Sequence, residues 1–381
     1  MIASSRLAAL AALLLTHTTL GSSTTTASPS ATHGLRLVKT ALDHDGFWVT
    51  EQEKFDMLIA RHVHFVDITD TRDTELLRRD RALQTRQSGG SGNASYPYPA
   101  TAQHADDAKP LLAAINGDNQ VARAKEMTDM FSRYYRGCWA RHAADWMFDA
   151  VTAAAEPNSA IVVSQFVHKA YDQPSVIAQI PGSGSSASKV VIVSAHYDSI
   201  STSATARAPG ADDNASGIVT ILEALRVLAE AGFKPANTLE FHFYSGEEGG
   251  TLGSRDVMQA YAKKGTDVIA MMNQDMTGYS PNNVIAVFTD FVDPALTKFI
   301  TTIVPMYSKL PVATDKCGYG CSDHNSAFEV GYPAAYVCDE TIQDASPFIH
   351  SSRDTYDTLD FDHILEHTKF TVGFLVEGAF F

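Results

Sequence analysis

Apolar positions follow two different periods along this chain, and their alternation predicts the fold. Residues 190–194, 239–244, 268–272, 284–288 and 334–337 are short, nearly continuous apolar runs, the pattern of strands buried on both faces. After the first of them comes 216–231, where Ile218, Ile221, Leu222, Leu225 and Leu228 recur at helical spacing. Met127, Met130, Phe131 and Tyr134 predict a helix over 121–135, and Trp146 and Met147 belong to another over 140–155. Residues 160–167 and 176–180 predict paired strands joined by a turn at Asp172-Gln173-Pro174. Helices alternating with strands too apolar to face water predict an α/β chain. The expected architecture is a three-layer α/β/α sandwich around a central mixed, mostly parallel sheet.

The N-terminus follows neither period. Residues 1–6 carry one positive charge, 7–15 are all Leu or Ala, and small residues follow around Gly21 and Ala27. That is the layout of a signal peptide over 1–21, and nine apolar residues fall far short of the roughly 20 that span a bilayer. The expected destination is therefore extracellular. Residues 35–81 form a small pattern of their own: a helical stretch over 47–60, the apolar segment His64-Phe65-Val66-Asp67-Ile68, and the basic cluster Arg78-Arg79-Asp80-Arg81. A Gly/Ser loop over 87–92 comes next, which predicts a removable prosegment over 22–88 and a catalytic domain over 89–381. The expected mature N-terminus lies between residues 84 and 95, and Asn93-Ala94-Ser95 is a glycosylation sequon in a loop.

Composition narrows the class. With 45 % hydrophobic and 19 % charged residues, 381 residues are an enzyme-sized globular protein. The net charge of −15 sits downstream: residues 22–88 hold nine Lys/Arg and ten Asp/Glu, whereas 89–381 hold 19 and 34. Such a surface repels nucleic-acid phosphates and anionic membranes, so neither is an expected partner. Of four cysteines, Cys317 and Cys321 are four apart around Gly318 and Gly320, a spacing compatible with a small disulfide loop. Cys138 and Cys338 are open to pairing or to remaining free.

Chemistry-bearing residues gather just past the apolar runs, where sites form in open α/β sheets. Ser194-Ala195-His196-Tyr197-Asp198-Ser199 follows one run, and Asp198 is placed to hold the second ring nitrogen of a ligating His196. Pro209-Gly210-Ala211-Asp212-Asp213 opens the helix at Ser216, with Gly210 and Gly217 marking a forced turn. Two adjacent acids ahead of a helix are often plain capping residues. Ser245-Gly246-Glu247-Glu248 and Asn273-Gln274-Asp275 each follow another run, and two carboxylates at a buried strand end are costly unless paired or bound to metal. Ile349-His350-Ser351-Ser352-Arg353-Asp354 adds a second histidine, and two imidazoles with three carboxylates form an N/O donor set suited to zinc.

In this order, SAHYDS, PGADDNASG, SGEEGGTLGS, NQDMTGY, CGYGCSDH, VGYPAAY and IHSSRDT resemble the secreted bacterial and fungal leucyl aminopeptidases with co-catalytic zinc, over roughly residues 94–381. The resemblance implies two Zn2+ per chain. His196 and Asp275 would hold one, Glu248 and His350 the other, with Asp212 bridging and a cis peptide before Asp213. It implies Glu247 as general base, Asp198 orienting His196, and a Cys317–Cys321 disulfide presenting Tyr319 to the substrate. Met276, Tyr319, Phe348 and Ile349 would line an apolar side-chain pocket. The implied substrate is a peptide with a free, leucine-like N-terminus, acted on by a monomer. Thr251 departs from the family pattern, which has Leu there.

Other features are decoys. His363-Ile364-Leu365-Glu366-His367 matches an inverted zincin pattern, yet only 14 residues follow it. A partly exposed C-terminal helix with Leu365 and Phe370 facing the core is the expected reading. His62 and His64 fall in the prosegment, His242 lies inside a strand, and the sequon at Asn214 is expected to stay unmodified beside the metals. Two rival functions remain: a single-zinc glutaminyl cyclase on the same scaffold, and an inactive binding module.

Overall fold

The computed structural model describes residues 34–41, 45–61, 63–70, 77–78 and 96–381. The expected signal peptide, His62, the Gly/Ser loop, Asn93 and most of the basic cluster lie outside these residues. Near its N-terminal end the described chain forms β1 (Leu35–Lys39), β2 (Phe47–Thr50), the helix α1 (Glu51–Met57) and β3 (Val66–Asp67), with sheet order β2-β1-β3. The helix expected over 47–60 therefore starts four residues late. Thr50 is the reason: its hydroxyl accepts the Glu53 amide while the Glu53 carboxylate accepts the Thr50 amide, a capping box that fixes the first turn there.

The larger part begins with α2 (Ala105–Ala113), α3 (Gly117–Asp129) and α4 (Ala140–Ala155). It continues as β4 (Val162–Phe166), β5 (Ser175–Ile180), β6 (Lys189–His196), α5 (Gly217–Glu230), β7 (Thr238–Tyr244), α6 (Leu252–Lys264) and β8 (Asp267–Gln274). β9 (Ile285–Phe288), α7 (Pro294–Tyr307), β10 (Val312–Asp315), α8 (His324–Glu329), β11 (Ala334–Cys338) and α9 (Phe361–Gly378) complete it. Eight strands make one sheet in the order β10-β9-β11-β8-β6-β7-β5-β4. Four of its seven pairings are parallel, including the central β11-β8-β6-β7 group.

Both faces of that sheet are covered, which is why its strands read as unbroken apolar runs. Val191, Val193 and Ala195 of β6 pack with Ile221 and Leu225 of α5 and Leu375 of α9. Val190 and Ile192 of the same strand pack on the opposite side with Val257 and Met258 of α6 and Ala327 of α8. Each Val, Ile, Leu or Met side chain among them contributes about 1.5–3 kcal/mol when fully buried. The described residues from Arg36 to Phe381 pack as one compact unit.

Two expected helices differ. The one expected over 121–135 ends at Asp129, because the chain turns extended at Met130 to bury Arg133. The Arg133 guanidinium donates to the carbonyls of Met127, Tyr197, Pro209 and Gly210, and a continued helix could not deliver it there. The C-terminal helix α9 is largely buried against α2, α5 and α7 rather than partly exposed; Phe370 faces the core and Leu365 is half-buried.

Candidate metal centre

The parallel strands β6, β7, β8 and β11 end on one side of the sheet, and the loops leaving them carry the site. His196 is the last residue of β6, Glu247 and Glu248 follow β7, and Asp275 follows β8. Two groups of ligand atoms converge there, each within 4.8 Å: His196, Asp213 and Asp275, and Asp213, Glu248 and His350. Asp213 belongs to both. One of its oxygens lies 3.1 Å from Nε2 of His196 and the other 3.0 Å from Nε2 of His350. Asp275 is 3.3 Å from Nε2 of His196, and Glu248 is 3.1 Å from Nε2 of His350.

Asp213, rather than the expected Asp212, is thus the residue that the structure places between the two groups. Asp212 turns away from the cluster: its Oδ1 accepts the Gly278 amide, and its carboxyl faces that of Asp339. Burial, then the Asp339 charge, pushes Asp212 well above the usual carboxylate range. The divergence is built into the loop. The amides of Asp212 and Asp213 both donate to the carboxylate of Asp354, at 2.9 and 3.1 Å, which fixes the turn and sends successive side chains to opposite sides. Gly210 has φ +53°, and a Cβ there would lie 2.5 Å from the Ser199 side chain and 2.6 Å from the Asp213 carbonyl, so the turn needs glycine. The cis peptide also lies one residue later than expected, at Asp213–Asn214, and Asp275–Met276 is cis as well.

Asp198 holds three parts of the site. It lies 3.5 Å from Nδ1 of His196, and its carboxylate accepts the amides of Glu247 at 3.1 Å and Glu248 at 3.2 Å. The two glutamates then diverge. Glu248 joins the ligand group, with its Oε1 buried and without a hydrogen-bond partner. Glu247 lines the cavity beside Asp213 and Asp275 but belongs to neither ligand group. Burial raises the Glu247 carboxyl well above its ordinary value and pushes Glu248 up to about 7.

The donor set fits a divalent cation. Burial lowers the affinity of His196 and His350 for protons, but the carboxylates around them outweigh it and raise both well above the ordinary imidazole value. The same imidazoles, against burial, hold Asp213 well below the usual carboxylate range. Nε2 atoms and carboxylate oxygens thus converge in two groups, and Glu248 Oε1 is buried without a partner, a donor set that a divalent cation would satisfy.

Several supporting residues carried no sequence signal of their own. Ser322 donates to Asp275 at 2.5 Å, and the Tyr336 hydroxyl donates to the Asp275 carbonyl. His168 lies 2.9 Å from both Asp256 and Ser175, in the arrangement of a hydrolytic triad. Ser175 is fully buried, however, and its hydroxyl accepts the Ser245 amide, so this trio braces the start of the glutamate loop.

The cavity beside the cluster is lined by Met276, Tyr319, Ile349 and, in addition, Tyr336 and Cys338. Phe348 is not among its walls and is a second correction: its ring packs edge-on to Tyr279 and under the Arg353 guanidinium. Cys317 and Cys321 form the disulfide, and Cys138 and Cys338 are free thiols. Thr251 is buried with φ 58°, its amide bonded to the Glu247 carbonyl. Asn214 is buried, with its side chain bonded to the Gln274 carbonyl and the Gly217 amide. His363 binds the carbonyls of Thr277 and Val284, His367 binds Gln274 through Nδ1, and His242 binds Glu240 and Tyr244; none of them belongs to either ligand group.

A fourth wall comes from the N-terminal part. Ile59, Val63, His64 and Phe65 line the same cavity, and the His64 ring stacks on Tyr319 with its Nδ1 hydrogen-bonded to the Tyr319 hydroxyl. Lys54, fully buried, donates to Asp67, to the Tyr135 hydroxyl and to the Gly249 carbonyl, while the Asp67 amide donates to the Gly250 carbonyl. Gly250 has φ +100°, and a Cβ there would lie 2.6 Å from the Asp67 nitrogen.

Paired donor groups on an α/β/α sheet define a metal-dependent peptidase. Residues 175–375 match the profile of Peptidase family M28, and the chain belongs to that family. It is 40 % identical over 352 residues to the "Probable leucine aminopeptidase" of Arthroderma otae, covering 91 % of this chain and 93 % of that one. It is also 40 % identical over 350 residues to the "Leucine aminopeptidase 1" of Emericella nidulans, covering 87 % and 86 %. Among solved structures it resembles the LapA aminopeptidase of Legionella pneumophila, with a TM-score of 0.76 at 27 % identity over 91 % of this chain and 93 % of that one.

Proposed function

We propose that the protein is a secreted aminopeptidase that removes leucine-like residues from peptide N-termini with two zinc ions. The observation that carries this is Asp213, which offers one oxygen to the His196–Asp275 group and the other to the Glu248–His350 group. One shared carboxylate between two N/O sets supports two ions over the single ion of a glutaminyl cyclase. When bound, such ions polarise a scissile carbonyl and activate water near neutral pH. Glu247 takes the proton of the attacking water and passes it to the leaving amine. The Tyr319 hydroxyl stabilises the oxyanion, and the Asp275 carboxylate attracts the free amine, which favours trimming ends over cutting within a chain. Met276, Tyr336, Cys338 and Ile349 offer the N-terminal side chain an apolar surface.

The test is zinc content measured together with rates on a panel of aminoacyl chromogenic amides. Two zinc ions per chain are expected, with activity lost to a chelator and restored by zinc. Because the ligating imidazoles bind protons strongly without metal, zinc affinity should fall as pH is lowered. Full activity in metal-free protein would sink the proposal, and one zinc with ammonia release from glutaminyl peptides would make the protein a cyclase.

We also propose that residues 22–88 are an inhibitory prosegment, released by cleavage between residues 84 and 95. His64 occupies the hydroxyl that the oxyanion needs. A tethered segment acts at an effective concentration in the millimolar range, so the uncut chain should be at least about tenfold slower than the processed one. Lys54→Met should relieve this. Removing one partner of a buried ion pair costs about 3–5 kcal/mol, and the low end applies because Arg36 also pairs with Asp67. Burial raises the Asp67 carboxyl, but Lys54 and Arg36 outweigh it and leave it below its ordinary 3.8. Its stabilising contribution is present above that value and is lost as pH falls through the lower folded value, so strong acid should loosen the segment. Rates before and after processing, with N-terminal sequencing, check this; an uncut chain as fast as the processed one refutes it.

A further inference from the structure

One wall of the side-chain cavity is not apolar. β11 ends at Cys338 and the chain then bends; Tyr336, Cys338, Glu340 and Ile342 all line the cavity, while the Asp339 carboxylate accepts the amides of Gly278 and Tyr279. Glu340 therefore shares this cavity with the apolar walls. The residue is 1 % exposed. Its carboxylate is fixed by a fork: the Asn282 amide donates to Oε1 at 2.8 Å, and the Asn282 side chain donates to Oε2 at 3.1 Å. Each oxygen keeps a free lone pair. Among the described residues no Lys or Arg forms an ion pair with it, and the charged groups acting on it are Asp339 and His363. Burial raises its carboxyl above the ordinary value, outweighing the hydrogen bonds from Asn282 that favour its charge.

We infer that Glu340 is a specificity-determining residue that lets the pocket take lysine- or arginine-like N-terminal side chains as well as leucine-like ones. The inference rests on the aminopeptidase reading above and names a second substrate class for the same site. The aliphatic stem of such a side chain would lie against Met276, Tyr336 and Ile349, as long cationic residues do on apolar surfaces, with its charged tip at Glu340. A charge-assisted hydrogen bond would then offset the cost of keeping the carboxylate buried.

Norleucine matches the lysine stem without the ammonium, so the ratio of kcat/KM for lysyl and norleucyl amides isolates the tip. The processed, zinc-loaded enzyme should hydrolyse the lysyl amide at least as efficiently as the norleucyl one. In Glu340→Gln, which keeps the shape and removes the charge, the lysyl-to-norleucyl ratio should fall about ten- to a hundredfold, the usual worth of a hydrogen bond to a charged group. A ratio unchanged by the substitution, or a wild type that discriminates strongly against lysine, overturns the inference. Should the variant fail to be secreted, competitive inhibition of the wild type by lysine and norleucine hydroxamates decides: lysine binding no tighter than norleucine overturns it. A wild type that hydrolyses none of the leucyl, norleucyl and lysyl amides would instead count against the aminopeptidase reading itself.

Discussion

Asp213→Asn should leave the protein unable to hold its full metal complement and slow hydrolysis by roughly three orders of magnitude, since it weakens charge stabilisation and the water-activating site together. Asp212→Asn, next to it, should still bind two ions at saturating zinc. An amide at Asp213 keeps the side-chain shape but exchanges one charged oxygen for a donor that points at an imidazole nitrogen 3.0 or 3.1 Å away. At Asp212 the exchange is mild. Burial and the neighbouring Asp339 disfavour its charge, and the bond its Oδ1 accepts from the Gly278 amide is one that an amide oxygen keeps. The expected loss there is about 10–100-fold in zinc affinity at most, the usual worth of a group that supports a ligand without being one. Zinc stoichiometry by atomic spectroscopy, with kcat/KM on a leucyl amide, separates the two variants. Loss of zinc in Asp212→Asn with full occupancy in Asp213→Asn would return the bridge to Asp212.

That one-residue slip shows where sequence reading stopped. The apolar runs located the central strands because a parallel sheet covered on both faces must be apolar throughout, and the strand ends then located His196, Glu247, Glu248 and Asp275. Asp212 and Asp213 are identical in type and adjacent, and only the turn fixed by Gly210 and Asp354 decides which one enters the cluster. Asp354 and Ser322 act through contacts made across the fold, which have no period for a sequence pattern to reveal. β10 was missed because Val312-Ala313-Thr314-Asp315 is a short edge strand, half-buried and mixed in polarity.

The N-terminal segment was legible as a separate pattern but not as part of the site. His64 reads as an ordinary histidine in a short apolar stretch, and its place on Tyr319 lies 255 residues away in the chain. Lys54 is similar. A lysine in an amphipathic helix is normally solvated, and only docking against Tyr135 and Gly249 buries it. Both contacts engage the loops that carry Tyr319 and Glu247–Glu248, so the segment and the metal centre share walls.

Glu247→Gln should retain both zinc ions and the ability to bind a peptide-like inhibitor, while kcat falls by roughly two to four orders of magnitude, the usual worth of a positioned general base. Glu248→Ala should instead lower the occupancy of one ion. The two side chains are adjacent and identical in type, and their surroundings assign them different work. Glu248 lies 3.1 Å from Nε2 of His350, within a convergent ligand group, and its other oxygen is buried without a hydrogen-bond partner. Glu247 faces the cavity outside both groups, and burial raises its carboxyl toward the range where a base can take and return a proton near neutrality. Their backbone amides are held by the same Asp198 carboxylate, so neither substitution should displace the loop. The amide in Glu247→Gln preserves size and polarity while removing basicity, which keeps a packing defect from imitating a chemical one. Zinc content, inhibitor affinity and kcat measured on identically purified variants form the decisive set. If Glu247→Gln loses a zinc ion while Glu248→Ala keeps both, the base and the ligand have been interchanged, and proton transfer must be assigned to Glu248.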